Sequence, residues 1–132
     1  MNFYVADTHA LFWYLINSSS LGPDARLAFD EADAGQAVIY IPAIVIAELY
    51  YLNEKKGRPL DFRVRYERLA QSIQFVLLAF YPPHVLDFDA CSAITEIHDR
   101  IIVGVARRMN AKLLTATRRS PTAESSPRFG SD

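Results

Sequence analysis

The sequence predicts an α/β fold: a central parallel sheet of about four strands, with helices on both faces. Three observations carry this. Four short runs are largely apolar and rich in β-formers, at residues 3–6, 38–41, 75–80 and 112–115, the last with Lys112 and Thr115 at its ends. The segments between them carry helix caps and helical spacing. The runs do not alternate polar with apolar residues, so both sheet faces need cover, as in parallel sheets joined by helical crossovers.

Phe3-Tyr4-Val5-Ala6 is the first strand. Asp7 and Thr8 follow, and either can cap a helix over residues 9–16. Ser18-Ser19-Ser20 breaks it, and Gly22-Pro23 starts a second helix, over 23–34, which Gly35 ends. Val38-Ile39-Tyr40-Ile41 is the second strand. Pro42 opens a third helix that runs to Lys55 before Gly57, and a more charged helix follows over 61–72. The third strand covers 75–80. Pro82-Pro83 starts a short helix reaching residue 93. The last helix spans 98–109, with Ile101, Ile102, Val105 and Met109 on its apolar face, and Asn110-Ala111 turns into the fourth strand.

The 132 residues are 51% hydrophobic, with seven Tyr, eight Phe and one Trp, enough for one core. A net charge of −1 gives no overall basic footprint, so a nucleic-acid partner is not announced by charge. Cys91 is the single cysteine, which excludes an intrachain disulfide and fits a reducing cytosol. The amino terminus has no basic segment and reaches Asp7 early, unlike a signal peptide. The uncharged stretch 34–47 is too short for a bilayer and contains Pro42. These features predict a cytoplasmic protein without a membrane segment.

Three acids have unusual surroundings. Asp7 directly follows a buried strand, in the region beyond strand ends where open α/β sheets collect ligands. A helix N-cap explains it equally well. Glu48 has Ile44, Val45, Tyr51 and Leu52 as its helical neighbours, which places a carboxylate on or beside a buried stripe. An arginine partner at the stripe's edge is the structural alternative. Asp99 lies in a first helical turn, where negative charge is ordinary, but Ile102 and Val103 bring it near the apolar face. Glu96 is one turn earlier. Converging carboxylates make an oxygen-rich site for Mg²⁺ or Mn²⁺, ions that activate water and stabilise charge on a phosphoryl group. His9 and His98 sit beside two of these acids. There is no zinc spacing and no phosphate-binding glycine loop.

The stretches YVADTHALFWYL, IYIPAIVIAELYYLNEKKG and EIHDRIIVGVARRMNAKLLT resemble PIN-domain proteins, specifically VapC toxins of bacterial toxin–antitoxin pairs. The resemblance covers roughly residues 3 to 116 and rests on the three motifs in this order. It implies a PIN-like three-layer α/β/α sandwich over residues 1–116, followed by an atypical polar tail over 117–132. It also implies Mg²⁺- or Mn²⁺-dependent cleavage of RNA, of the transfer or ribosomal class. Its acidic cluster maps onto Asp7, Glu48 and Asp99, with the two aspartates as metal ligands and Glu48 holding water or a second ion. Thr8 and Glu96 match supporting positions. Thr117 stands where the family often places a fourth acid, so such a site has one negative charge fewer.

The partners implied are a VapB-like antitoxin, an RNA substrate and a second copy of the chain, as a homodimer. Trp13, Tyr50 and Tyr51 are candidate partner contacts, with core packing as the competing explanation. Arg100, Arg107, Arg108, Arg118 and Arg119 are candidates for the RNA backbone, although charge runs are commonly just solvated surface. A catalytically impaired PIN fold that binds or decoys an antitoxin is the alternative, motivated by Thr117. A phospho-accepting regulatory domain also suits an Asp at a strand end, but it leaves Glu48 unexplained.

Overall fold

The structure is a computed structural model that describes residues 1–115. Thr117, Arg118, Arg119 and the 117–132 tail lie outside the described residues. The expected sheet is present: β1 (Asn2–Ala6), β2 (Ala37–Pro42), β3 (Phe75–Leu78) and β4 (Lys112–Leu114), all parallel, in the order β3-β2-β1-β4. Helices α1 (Thr8–Leu15), α2 (Pro23–Asp33), α3 (Ala43–Lys55), α4 (Phe62–Gln71) and α5 (Ile97–Arg108) flank it.

The chain builds β1, β2 and β3 outward in one direction, then returns to place β4 on the other side of β1. The strand order therefore reverses between β1 and β4. At such a switch point the connections leave to opposite sides and open a crevice beyond the carboxyl ends of the strands.

Where elements differ from expectation, pairing explains it. The third strand stops at Leu78 rather than residue 80, because Leu78 pairs with Pro42, the last residue of β2. Thr115 is not part of β4, because Ala6 at the end of β1 already pairs with Leu114. Pro42 precedes α3 as its N-cap rather than lying inside it. The segment expected to be an ordinary helix to residue 93 is a 3-10 helix, Pro82–Cys91. Two adjacent prolines remove two backbone donors at its start, and the His84 ring accepts the Tyr81 N–H at 3.2 Å. An Arg108–Asp87 ion pair ties this segment to α5.

The core runs through both sheet faces. Val5, Ile39, Ile41, Leu113, Phe12, Phe29 and Val103 are all fully buried. Phe29 stacks on Tyr14 at 4.1 Å and 6°, and lies 6.3 Å from Phe75, so one aromatic cluster joins α1, α2 and β3. Asn53, 3% exposed, exchanges two hydrogen bonds with the Leu60 backbone. It fixes the turn after α3, where Gly57 (φ 85°) and Arg58 (φ 61°) occupy the left-handed region.

Two tyrosines make the fold sensitive to alkali. The Tyr14 hydroxyl donates to both Asp33 carboxylate oxygens at 3.0 Å, and the Tyr4 hydroxyl donates to Glu31 at 2.8 Å. Burial, then the neighbouring carboxylate, pushes each phenol up to about 12. The unfolded chain loses these protons near pH 10, whereas the folded chain keeps them to about pH 12. In that window the unfolded state binds fewer protons, so stability falls as pH rises. Urea midpoints are expected to be unaffected by these groups below pH 10 and to fall between pH 10 and 12. The Tyr4→Phe/Tyr14→Phe double variant is expected to flatten that fall.

Candidate functional site

Asp7 occupies the crevice at the switch point. Its backbone N–H donates to the Leu114 carbonyl at 3.0 Å, so the β1 and β4 ends are pinned together there. Its Oδ1 accepts the Ala10 N–H at 2.9 Å, which makes Asp7, not Thr8, the N-cap of α1. The cap reading holds, and the residue also borders a cavity: one oxygen orients the helix while the side chain, 5% exposed, lines that cavity. Thr115 is fully buried beside this point, at the end of β4.

Glu48 reaches the same place from α3. Val45 is fully buried, whereas Ile44 and Leu52 are half-buried and Tyr51 is exposed, so Glu48 lies at the edge of the buried stripe. Among the described residues its partners are not arginines. Thr8 Oγ1 donates to Oε1 at 2.6 Å, and His98 Nδ1 lies 2.8 Å from Oε2. The Thr8 bond links residues forty apart in sequence and sets the carboxylate's orientation. His98 Nδ1 also lies 3.5 Å from Glu96 Oε2.

Asp99 comes from the first turn of α5. Glu96 is the N-cap of that helix and accepts the Asp99 N–H at 2.9 Å. Ile102 and Val103 are buried beneath, so the turn is seated on the core while Asp99, half-buried, lines the cavity. The Arg100 guanidinium donates to the Ile94 and Ser92 carbonyls, strapping the preceding loop.

Asp7, Thr8, His9, Glu48, His98 and Asp99 all line one cavity of about 590 Å³. Ile44, Ala47, Tyr51, Leu52, Lys55 and Ile102 complete its wall. The three acids predicted from the sequence, drawn from segments about forty and fifty residues apart, thus share one concave surface. Thr8 lines it too, whereas Glu96 is not among the lining residues and reaches the site only as the cap of α5 and through its approach to His98. Of the other candidates, Arg108 is committed to Asp87 and Arg100 to the loop, so neither is a free basic group. Tyr51 lines the cavity, whereas Trp13 packs against the core. Two contributors escaped the sequence reading. His98 was noticed only as a neighbour of Asp99, and its link to Glu48 is visible only once α3 and α5 pack. Lys55 was read as a helix end, although it stands one helical turn beyond Tyr51 on the Glu48 face.

The donor set suits a hard divalent cation, since carboxylate oxygens are the preferred ligands of Mg²⁺ and Mn²⁺. Among the described residues no three His, Cys, Asp or Glu side chains close around one point. Mg²⁺ needs no such cage: it keeps several waters and binds through one or two carboxylates. Asp7 and Asp99 would be the residues to take that role, with Glu48, bound to Thr8 and His98, on the wall of the same cavity.

Comparisons with known proteins bear on the fold and the family. The chain is similar in fold to VapBC2 from Rickettsia felis, solved bound to a DNA fragment from its promoter. That similarity has a TM-score of 0.65 at 19% identity and covers 96% of this chain and 98% of the other. It is also similar to FitAB bound to an IR36 DNA fragment, with a TM-score of 0.62 at 19% identity, covering 96% and 93%. A sequence comparison with curated proteins gives no match. The family model for the PIN domain matches residues 4–120, a span that holds all three acids. With the four-stranded parallel sheet, its flanking helices and that match, the chain belongs to the PIN-domain family.

Proposed function

We propose that this protein is a Mg²⁺- or Mn²⁺-dependent endoribonuclease, a VapC-type toxin neutralised by a VapB-like antitoxin. The carrying observation is that Asp7, Glu48 and Asp99 line one cavity at the switch point of a PIN sheet. The similarity to VapBC2 and FitAB supports the toxin–antitoxin setting. RNA of the transfer or ribosomal class is the proposed substrate, and a homodimer in the cytoplasm the proposed working form. Among the described residues no helix is long and apolar enough to cross a membrane.

Asp7 and Asp99 would hold the divalent ion, which when bound would supply positive charge to the phosphodiester and make a water more acidic. The protein's own contribution is placement. Asp7 is fixed by its cap bond, Asp99 by the Glu96-capped turn, and Glu48 by Thr8 and His98. Groups held this way lose little freedom when a substrate arrives. Hydrolysis then adds the elements of water across a P–O bond of the backbone. The test is to incubate the purified protein with RNA and Mg²⁺ or Mn²⁺, with and without chelator, beside Asp7→Asn. Equal cleavage by both proteins would assign the activity to a contaminant and sink the reading.

Thr8→Val removes the hydroxyl while keeping the side chain's shape. Cleavage is expected to fall ~10-fold or more, as when an outer partner of a metal site is lost. An unchanged rate would remove Thr8 from the account.

A catalytically impaired PIN fold that binds an antitoxin is the second reading. One observation favours it: both Glu48 oxygens are already engaged, by Thr8 and His98. Thr117 at the fourth acidic position points the same way.

A further inference from the structure

We infer that Tyr51 and Lys55 form a base-stacking platform and a phosphate contact that lead single-stranded RNA into the acidic cavity. The inference rests on the nuclease reading and deepens it. One face of α3 lines the cavity throughout: Ile44, Glu48, Tyr51, Leu52 and Lys55 recur at helical spacing. The wall therefore changes character along the helix, from carboxylate to aromatic ring to ammonium.

Tyr51 is 74% exposed, whereas Val45 and Leu49, on other faces of α3, are buried. Lone exposed aromatics are common. This one differs because it stands one turn from Glu48 in a cavity with three acids. Its contact with Tyr50 is edge-on, centroids 5.7 Å apart at 88°, and Tyr50 in turn meets Phe62 edge-on at 5.2 Å. The ring is thus buttressed at little cost in exposure. Such a ring accepts any unpaired base on its face, whereas a base within a duplex has no free face to offer.

Lys55 is exposed and makes no ion pair among the described residues. The helix dipole accounts for a lysine in a last turn, but not for its place on the cavity wall. Seven residues at ~1.5 Å each put it ~10 Å beyond Glu48 along α3. A stacked strand climbs ~3.4 Å per nucleotide, so about three nucleotides bridge that distance. Cleavage at the acids with a phosphate held at Lys55 and a base on Tyr51 is compatible with that span. Lys55 also offsets the repulsion that three carboxylates exert on a polyanion.

The test measures binding separately from cleavage. In an Asp7→Asn background with Mg²⁺, affinity for a short oligouridine is read by anisotropy, and stacking by quenching of a 2-aminopurine label. Tyr51→Ala is expected to weaken binding ~10-fold and to abolish the quenching, while Tyr51→Phe retains both. An oligomer of abasic sugar phosphates is expected to bind weakly and to be insensitive to Tyr51→Ala. Lys55→Gln is expected to lower the salt slope by about 0.7. Unchanged affinity and quenching in Tyr51→Ala would overturn the inference. So would the absence of oligouridine binding, or equal binding of duplex RNA with the same Tyr51 dependence. The nuclease reading fails by a different result: wild-type protein that binds RNA but never cuts it.

Discussion

Asp7→Asn is expected to lower RNA cleavage by more than ~100-fold while leaving the fold intact. The change removes the negative charge from the acid at the switch point. Loss of an outer partner at a metal site costs ~10–100-fold, and loss of a direct ligand costs more. Asparagine is as good a cap as aspartate, so the bond to the Ala10 N–H survives and α1 keeps its start. Asp7→Ala is expected to lose activity and also ~1 kcal/mol of stability, because the cap goes with the charge. The pair of variants separates the two jobs of one side chain. Cleavage rates and urea midpoints, measured side by side, check both.

Phe29→Ala is expected to cost ~3–5 kcal/mol, the range for emptying a large aromatic from a packed core. Phe29 is fully buried, stacks on Tyr14 and lies beside Phe75. That is a large share of the ~5–15 kcal/mol by which domains are stable. Phe29→Leu keeps more volume and is expected to cost clearly less. Urea unfolding checks this through a shift in midpoint at constant slope. A loss below ~1 kcal/mol would show that the cluster collapses without cost. The effect also reaches function, because α2 packs on β2 and β2 leads directly into α3 and Glu48.

The strands were legible because each is a short apolar run, and the acids because each broke a local pattern. Asp7 interrupts the sequence after a buried strand, and Glu48 sits among apolar neighbours. What could not be read was anything set by pairing or docking. The end of β3 depends on Pro42, thirty-six residues earlier in the chain than Leu78. The 3-10 geometry of Pro82–Cys91 depends on local prolines and on the Arg108–Asp87 tie to α5. Glu48 was expected to need a cation or a metal, with an arginine as the structural alternative; its partners among the described residues, Thr8 and His98, come from α1 and α5. No spacing rule connects residues 8, 48 and 98; only the packing of three helices does. Arg100 and Arg108, candidates for the RNA backbone, have contacts that no spacing rule announces: one straps a loop and the other pairs with Asp87.

The central claim is that Asp7 and Asp99 hold a divalent ion beside Glu48. Calorimetric titration with Mn²⁺ tests it most directly, because it needs neither the substrate nor the antitoxin. Wild-type protein is expected to show saturable binding, with one ion per cavity, and Asp7→Asn and Asp99→Asn are each expected to abolish it below millimolar Mn²⁺. Absence of binding by the wild-type chain at millimolar Mn²⁺, or binding that both variants retain, would contradict the account and favour a PIN fold that binds a partner without cutting RNA.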